Sequence, residues 1–117
     1  MTMFECEVTG VEKLRLPGMY RYKLSCGEPW IEVELNEKIA VFNNGDKIVV
    51  EITESKEQCL QHEICGQGYV VSVNKLEDTY RAVISLHGPL IVLFQKNKPK
   101  SPIKTMNKVY IGISRKA

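Results

Sequence analysis

With 117 residues, 44% of them hydrophobic and 26% charged, the chain is sized for one domain that buries its own core without a metal or a disulfide framework. Nothing in it approaches the roughly 20 apolar residues of a membrane helix, and residues 1–7 lack the basic and then apolar regions of a signal peptide, so a soluble cytoplasmic protein without a membrane partner is expected. The formal net charge of +2 conceals a split: all 14 acidic residues lie within 1–78 beside eight basic ones, whereas 79–117 carries eight basic residues and no acid.

Residues 4–8 alternate Phe4, Cys6 and Val8 with Glu5 and Glu7, the period of a half-buried strand. Pro17-Gly18 marks a turn, after which Tyr20, Tyr22 and Leu24 alternate with Arg21 and Lys23. Gly27 and Pro29 break the chain before a third strand over 30–35, with Ile31, Val33 and Leu35 on one face. Residues 36–42 fit either a short helix or an extended loop. Asn43-Asn44-Gly45-Asp46 is a turn before 47–52, a β-branched run suited to a well-buried strand. Residues 53–63 are polar and unpatterned and read as a surface loop. A strand over 68–73, a turn over 74–79, and strands over 80–87 and 90–95 follow, the last two separated by Gly88-Pro89. Residues 96–108 make a basic loop whose two prolines oppose ladder pairing, and a strand over 109–114, with Gly112 inside it, closes the chain. Seven or eight short strands without a convincing helix predict a single all-β domain over 1–117, a small antiparallel barrel or sandwich.

The run "CLQHEICGQGYVV", 59–71, concentrates the residues able to do chemistry. Cys59, His62 and Cys65 are each possible zinc ligands, but a structural site takes four, often in Cys-x-x-Cys knuckles, and the only other histidine, His87, falls in another strand. Thiol exchange needs a reactive pair at a helix start, and no helix is predicted after these cysteines. A phosphate loop would need a helix after Gly66-Gln67-Gly68, whereas Tyr69-Val70-Val71 continues as a strand. The glycines therefore read as a bulge or a close backbone approach. Cys6 and Cys26 read as buried small hydrophobes, and a Cys59–Cys65 disulfide stays open, since intracellular disulfides occur in hyperthermophiles. Elsewhere no paired-carboxylate, nucleotide-loop or Ser–His–Asp pattern stands out, so no catalytic residue, metal or cofactor is expected.

The run "ISLHGPLIVLFQK", 84–96, reads differently. His87 has no recognisable acid partner and reads as a partly buried turn residue. Leu90 to Phe94 are apolar without alternation, which predicts cover on both faces of that strand, by the chain's own loops or by a partner protein. The acid-free stretch fits docking on nucleic acid or an acidic protein, unless the barrel interleaves its charges with the others.

Read in order, "GDK" at 45–47, "CGQGYVVSV" at 65–73, "RAVISLHGPLIVLF" at 81–94 and "VYIGISRK" at 109–116 make the chain resemble the small OB-fold subunit eight of the eukaryotic nuclear RNA polymerases, known in archaea as the G subunit. The Cys65-Gly66-x-Gly68-Tyr69 form is similar to the archaeal members, and the chain lacks the long acidic loop of the eukaryotic ones. Pro89 departs from the glycine or leucine more usual there. The resemblance implies an OB-fold-like barrel that is non-catalytic, docks on the largest polymerase subunit, and supports assembly and stability of the enzyme in transcription. The partner contact is expected at Gly66, Gly68, Tyr69, Gly88, Pro89, Leu90 and Ile91. Lys96, Lys98, Lys100 and Lys104 are candidates for an indirect or weak contact with nucleic acid or an acidic partner, and no small-molecule ligand is expected. The alternative is a free-standing binder of single-stranded nucleic acid, with Tyr80, Phe94 and Tyr110 as stacking residues beside the basic run. A metal or thiol enzyme built on Cys59, His62 and Cys65 ranks last.

Overall fold

A computed structural model describes residues 2–116. Eight strands occur in chain order: β1 (Thr2–Lys13), β2 (Met19–Ser25), β3 (Trp30–Asn36), β4 (Lys47–Thr53), β5 (Ile64–Leu76), β6 (Thr79–Ser85), β7 (Leu90–Gln95) and β8 (Lys108–Arg115), with a short helix α1 (Lys56–Cys59) between β4 and β5. They close into one antiparallel barrel in the order β1-β2-β3-β7-β6-β5-β8-β4. This is the expected all-β, OB-fold-like architecture.

Closure follows from the period-2 pattern. The inward positions of successive strands, among them Leu24, Ile31, Ile48, Ile84, Leu93 and Ile111, are at most 1% exposed and form one core. At roughly 2 kcal/mol for each large aliphatic side chain removed from water, these positions outweigh any single surface contact. Tyr22 fills the centre, packs edge-on against Phe42 at 5.3 Å, and its hydroxyl accepts the Phe42 N–H. The 36–42 segment, which begins with the last residue of β3 and runs on as turns and irregular chain, is thereby tied to the core through Phe42, with Ala40 packed against it.

Several expectations need correction. Residues 53–63 are not simply a surface loop: Ser55 caps α1 by accepting the Gln58 N–H, and Cys59 is fully buried. The turn expected over 74–79 narrows to the Glu77-Asp78 corner, because β5 runs on to Leu76 against Thr79. Cys6 and Cys26 are not separate buried thiols; they form a disulfide, and a second disulfide joins Cys59 to Cys65. His87 is exposed rather than partly buried, on a turn where it has φ 59° and Gly88 has φ 126°. Finally, among the described residues the chain's own loops do not cover the outer face of β7, so only the expectation of cover by a partner is left standing. Ile91 and Leu93 point into the core, while Leu90, Val92 and Phe94 remain partly exposed outside.

Candidate subunit interface

β5 supplies the geometry of interest. Its residues Ile64 to Tyr69 pair with β8, from Ile64 opposite Ile113 to Tyr69 opposite Lys108. On its other side, pairing with β6 begins only at Tyr69, opposite Ser85. Residues 64–68 therefore present a strand edge that no other described strand covers. Val70 donates its N–H to the Asn107 carbonyl and accepts from Met106 N–H, at 2.9 and 2.8 Å, so its backbone groups face β8. By strand alternation those of Cys65 and Gln67 face the open side.

An open cleft of about 590 Å³ adjoins this edge, lined by Leu35, Ile39, Gly66, Leu86, Pro89 and Ile111 among others. The cleft exists because β3 and β7 part company early. They pair only from Trp30–Phe94 to Val33–Ile91, and β7 begins at Leu90, whose N–H donates instead to the Glu34 carboxylate at 3.1 Å. Arg21 holds the other Glu34 oxygen at 3.0 Å. The Glu34 hydrogen bond, offset in part by burial, raises the guanidinium pKa above its already high ordinary value. In the lining Ile39 is 58% exposed, and the ring of the lining residue His87 meets edge-on, at 6.5 Å, that of Tyr69, which is 46% exposed.

Of the residues expected at a partner contact, Gly66 and Pro89 line the cleft. Tyr69 and Leu90 lie on the outer surface in register with Ser85 between them, and Gly88 sits on the exposed turn. Gly68 is buried, and a Cβ there would lie 2.2 Å from the Ser85 carbonyl oxygen, so its role is the close approach of β5 to β6. The bulge lies further on, between Val70 and Ser72. Ile91 is withdrawn as a contact residue: it is 0% exposed inside the barrel. Pro89 does not disrupt the β6–β7 turn, since Leu86 N–H still donates to the Pro89 carbonyl at 2.8 Å. Lys96, Lys98, Lys100 and Lys104 are all exposed, on a loop that lies away from the cleft.

One cluster escaped the sequence reading. His62 lies over the outer face of the barrel, with Nε2 2.8 Å from Glu51 Oε1 and Nδ1 2.9 Å from Ser114 Oγ. Ser114 Oγ also accepts the Glu63 N–H at 3.1 Å. Gly112 makes room for the ring, because a Cβ there would fall 2.3 Å from His62 Cδ2. The Glu51 side chain is 4% exposed and that of His62 12%. With both ring nitrogens taken by fixed partners, the cluster fastens the segment after α1 to β4 and β8. The Cys59–Cys65 disulfide fastens the same segment to β5. Glu51 within the apolar 47–52 run and Gly112 within β8 were the available signals. Among the described residues no group of His, Cys, Asp and Glu is arranged to hold a metal, and His62 and Cys65 are committed to these contacts.

Taken together, these features describe an OB-fold-like barrel with an unpaired strand edge beside an apolar cleft. Comparison with known proteins supplies the family. The family model for the G subunit of DNA-directed RNA polymerase matches residues 1–116, and the chain belongs to that family. It is 25% identical to DNA-directed RNA polymerase subunit Rpo8 of Sulfolobus acidocaldarius over 116 residues, covering 96% of each chain. It is 23% identical to the same subunit of Saccharolobus solfataricus over 123 residues, covering 97% of this chain and 92% of that one. Among solved structures, the cytoplasmic molybdate-binding protein ModG aligns over 97% of this chain and 89% of its own, at 11% identity and a TM-score of 0.39, too low to bear on function. The expected role as an accessory subunit of archaeal RNA polymerase, acting in transcription, stands on the family.

Proposed function

We propose that the chain is a non-catalytic subunit that docks on the largest polymerase subunit through the open β5 edge, and so supports assembly and stability of the enzyme in the cytoplasm. The observation that carries this reading is the edge formed by Cys65 and Gln67. Unsatisfied backbone N–H and C=O groups along a strand edge favour addition of another strand. The cleft beside that edge offers an apolar seat for one side chain of such a strand, with Ile39 exposed in its lining, and Tyr69 and Leu90 add exposed apolar surface next in sequence to the edge and to the lining residue Pro89. In a free protein such an edge is a liability; in a permanent complex it becomes a binding element.

The test uses an asymmetry of the edge. Gln67→Pro removes one donor facing the cleft and leaves the β8 ladder intact, since proline is tolerated where its N–H side faces outward. Gln67→Pro and Leu90→Asp should each abolish stoichiometric recovery of the tagged chain with the large polymerase subunits, after nuclease treatment and high-salt washing. Normal recovery of both variants, with the fold intact by circular dichroism, would place the contact elsewhere.

A further inference from the structure

We propose that the opposite end of the barrel is a contact surface for single-stranded nucleic acid, built from the Trp30–Phe94 stack, Arg81 and the lysines of the β7–β8 loop. The assignment rests on residues separate from the cleft and does not depend on how the chain docks.

Charge pairing supplies the first observation. Of the acid-free C-terminal stretch, Arg115 pairs with Glu63 and Lys116 with Glu5, so the barrel does interleave some of its charges. Arg81, Lys96, Lys98, Lys100 and Lys104 form no ion pair among the described residues. The loop is held by its apolar residues: Pro99, Pro102 and Ile103 are buried. Lys98 lines shallow hollows beside Val73 of β5, Met3 of β1 and Gln95 of β7. The prolines and isoleucine thus close the barrel end, and the four lysines stand outward from that plug, all exposed.

The second observation is aromatic. Trp30 and Phe94 stack at 4.2 Å between ring centroids and 17° between planes, on the outer face of β3 and β7. Trp30 is 44% exposed, so one face of a flat ring system stays open to solvent. The same cross-strand row continues from Phe94 to Arg81 and on to Asn74, both exposed. An open indole, a guanidinium beside it and a set of unpaired lysines match what a flexible anionic chain with flat bases requires, since bases stack on aromatic faces and cations follow the phosphates. Two carboxylates bound the surface on the β3 side. Glu28 is committed to the Lys96 N–H at 3.0 Å, and Glu32 lies opposite Val92, one row further along. A strand would therefore run from Trp30 across β7 and β6 and onto the lysine loop, away from those charges. An acidic protein would satisfy the lysines but has no use for the open indole, which is why nucleic acid is the better match.

Trp30 is the only tryptophan of the chain and reports directly on stacking. The full chain is titrated with a twelve-nucleotide oligo-thymidylate while indole emission and the anisotropy of the labelled oligonucleotide are followed. Emission should be quenched on binding. With about five cations engaged and a slope of about −0.7 per phosphate contact, affinity should fall roughly 100-fold between 50 and 200 mM salt. Lys98→Glu with Lys100→Glu should flatten the log–log slope to about −2, with the fold unchanged by circular dichroism. Three results would each overturn the proposal: no binding at 50 mM salt, binding without quenching, or an oligoglutamate of the same length competing as well as the oligonucleotide.

Discussion

Substituting Gly112 by alanine should be among the most damaging single-methyl changes available in this barrel. The added Cβ would stand 2.3 Å from His62 Cδ2 and 2.6 Å from Cγ, so the imidazole must leave its place. Its departure strips the buried Glu51, 3% exposed, of the His62 partner at 2.8 Å, and releases Ser114 from Nδ1 at 2.9 Å. Leaving one member of a buried polar pair without its partner costs about 3 kcal/mol, and at this chain length about 3 kcal/mol lowers Tm by roughly 12 °C. The assay is chemical denaturation of the single variants Gly112→Ala and His62→Ala and of the double variant, with the disulfides intact. Because both changes break the same contacts, the double variant should lie close to His62→Ala alone, giving a large coupling energy. Simple additivity, or a loss below about 1 kcal/mol for Gly112→Ala, would refute the reasoning and show that the His62 ring has another place to go.

Three further outcomes are expected. Gly68→Ala drives a Cβ to 2.2 Å from the Ser85 carbonyl and 2.7 Å from Leu86 Cδ2, so β5 and β6 must separate; a loss of about 2 kcal/mol or more in urea unfolding is expected. Reducing the Cys6–Cys26 bridge, 20 residues apart in sequence, should cost about 3 kcal/mol by loop closure, and reducing Cys59–Cys65, six apart, about 2 kcal/mol. Unfolding Cys6→Ser and Cys59→Ser variants separately tests the order, and thiol titration of the unfolded, unreduced wild-type chain should find no free cysteine. Tyr22→Phe removes the acceptor of the Phe42 N–H at 3.3 Å and should destabilise by about 1 kcal/mol, read as a lower urea midpoint with an unchanged slope.

Much of the barrel was legible in the sequence because inward positions recur every second residue. Tyr20-Tyr22-Leu24 and Ile31-Val33-Leu35 fall on β2 and β3 as written, and Ile31 and Val33 pair with Leu93 and Ile91 across the closure. What failed depended on partners distant in sequence. Cys6 and Cys26 meet because β1 and β2 pair with Glu7 opposite Ser25, a register that alternation alone does not fix. With four helical residues, α1 is too short for a periodic signal, and only the folded sheet shows that Glu51, His62 and Ser114 converge. In the run Leu90 to Phe94 the expectation of cover by the chain's own loops failed for a local reason: Phe94 and Val92 rest on Trp30 and Val83, which half-cover them, while Leu90 stays 36% exposed. At the candidate interface the glycine turns were legible, whereas the open edge was not. An edge is an absence of pairing, and only the observed start of β6 pairing at Tyr69 locates it.

Residue-resolved hydrogen exchange of the free chain and of the chain within assembled polymerase tests docking at the β5 edge most directly. The amides of Cys65 and Gln67 should exchange quickly in the free chain and become strongly protected in the complex. Those of Gly66 and Gly68, already facing β8, should be protected in both. Equal exchange of Cys65 and Gln67 in the two states would contradict docking at that edge.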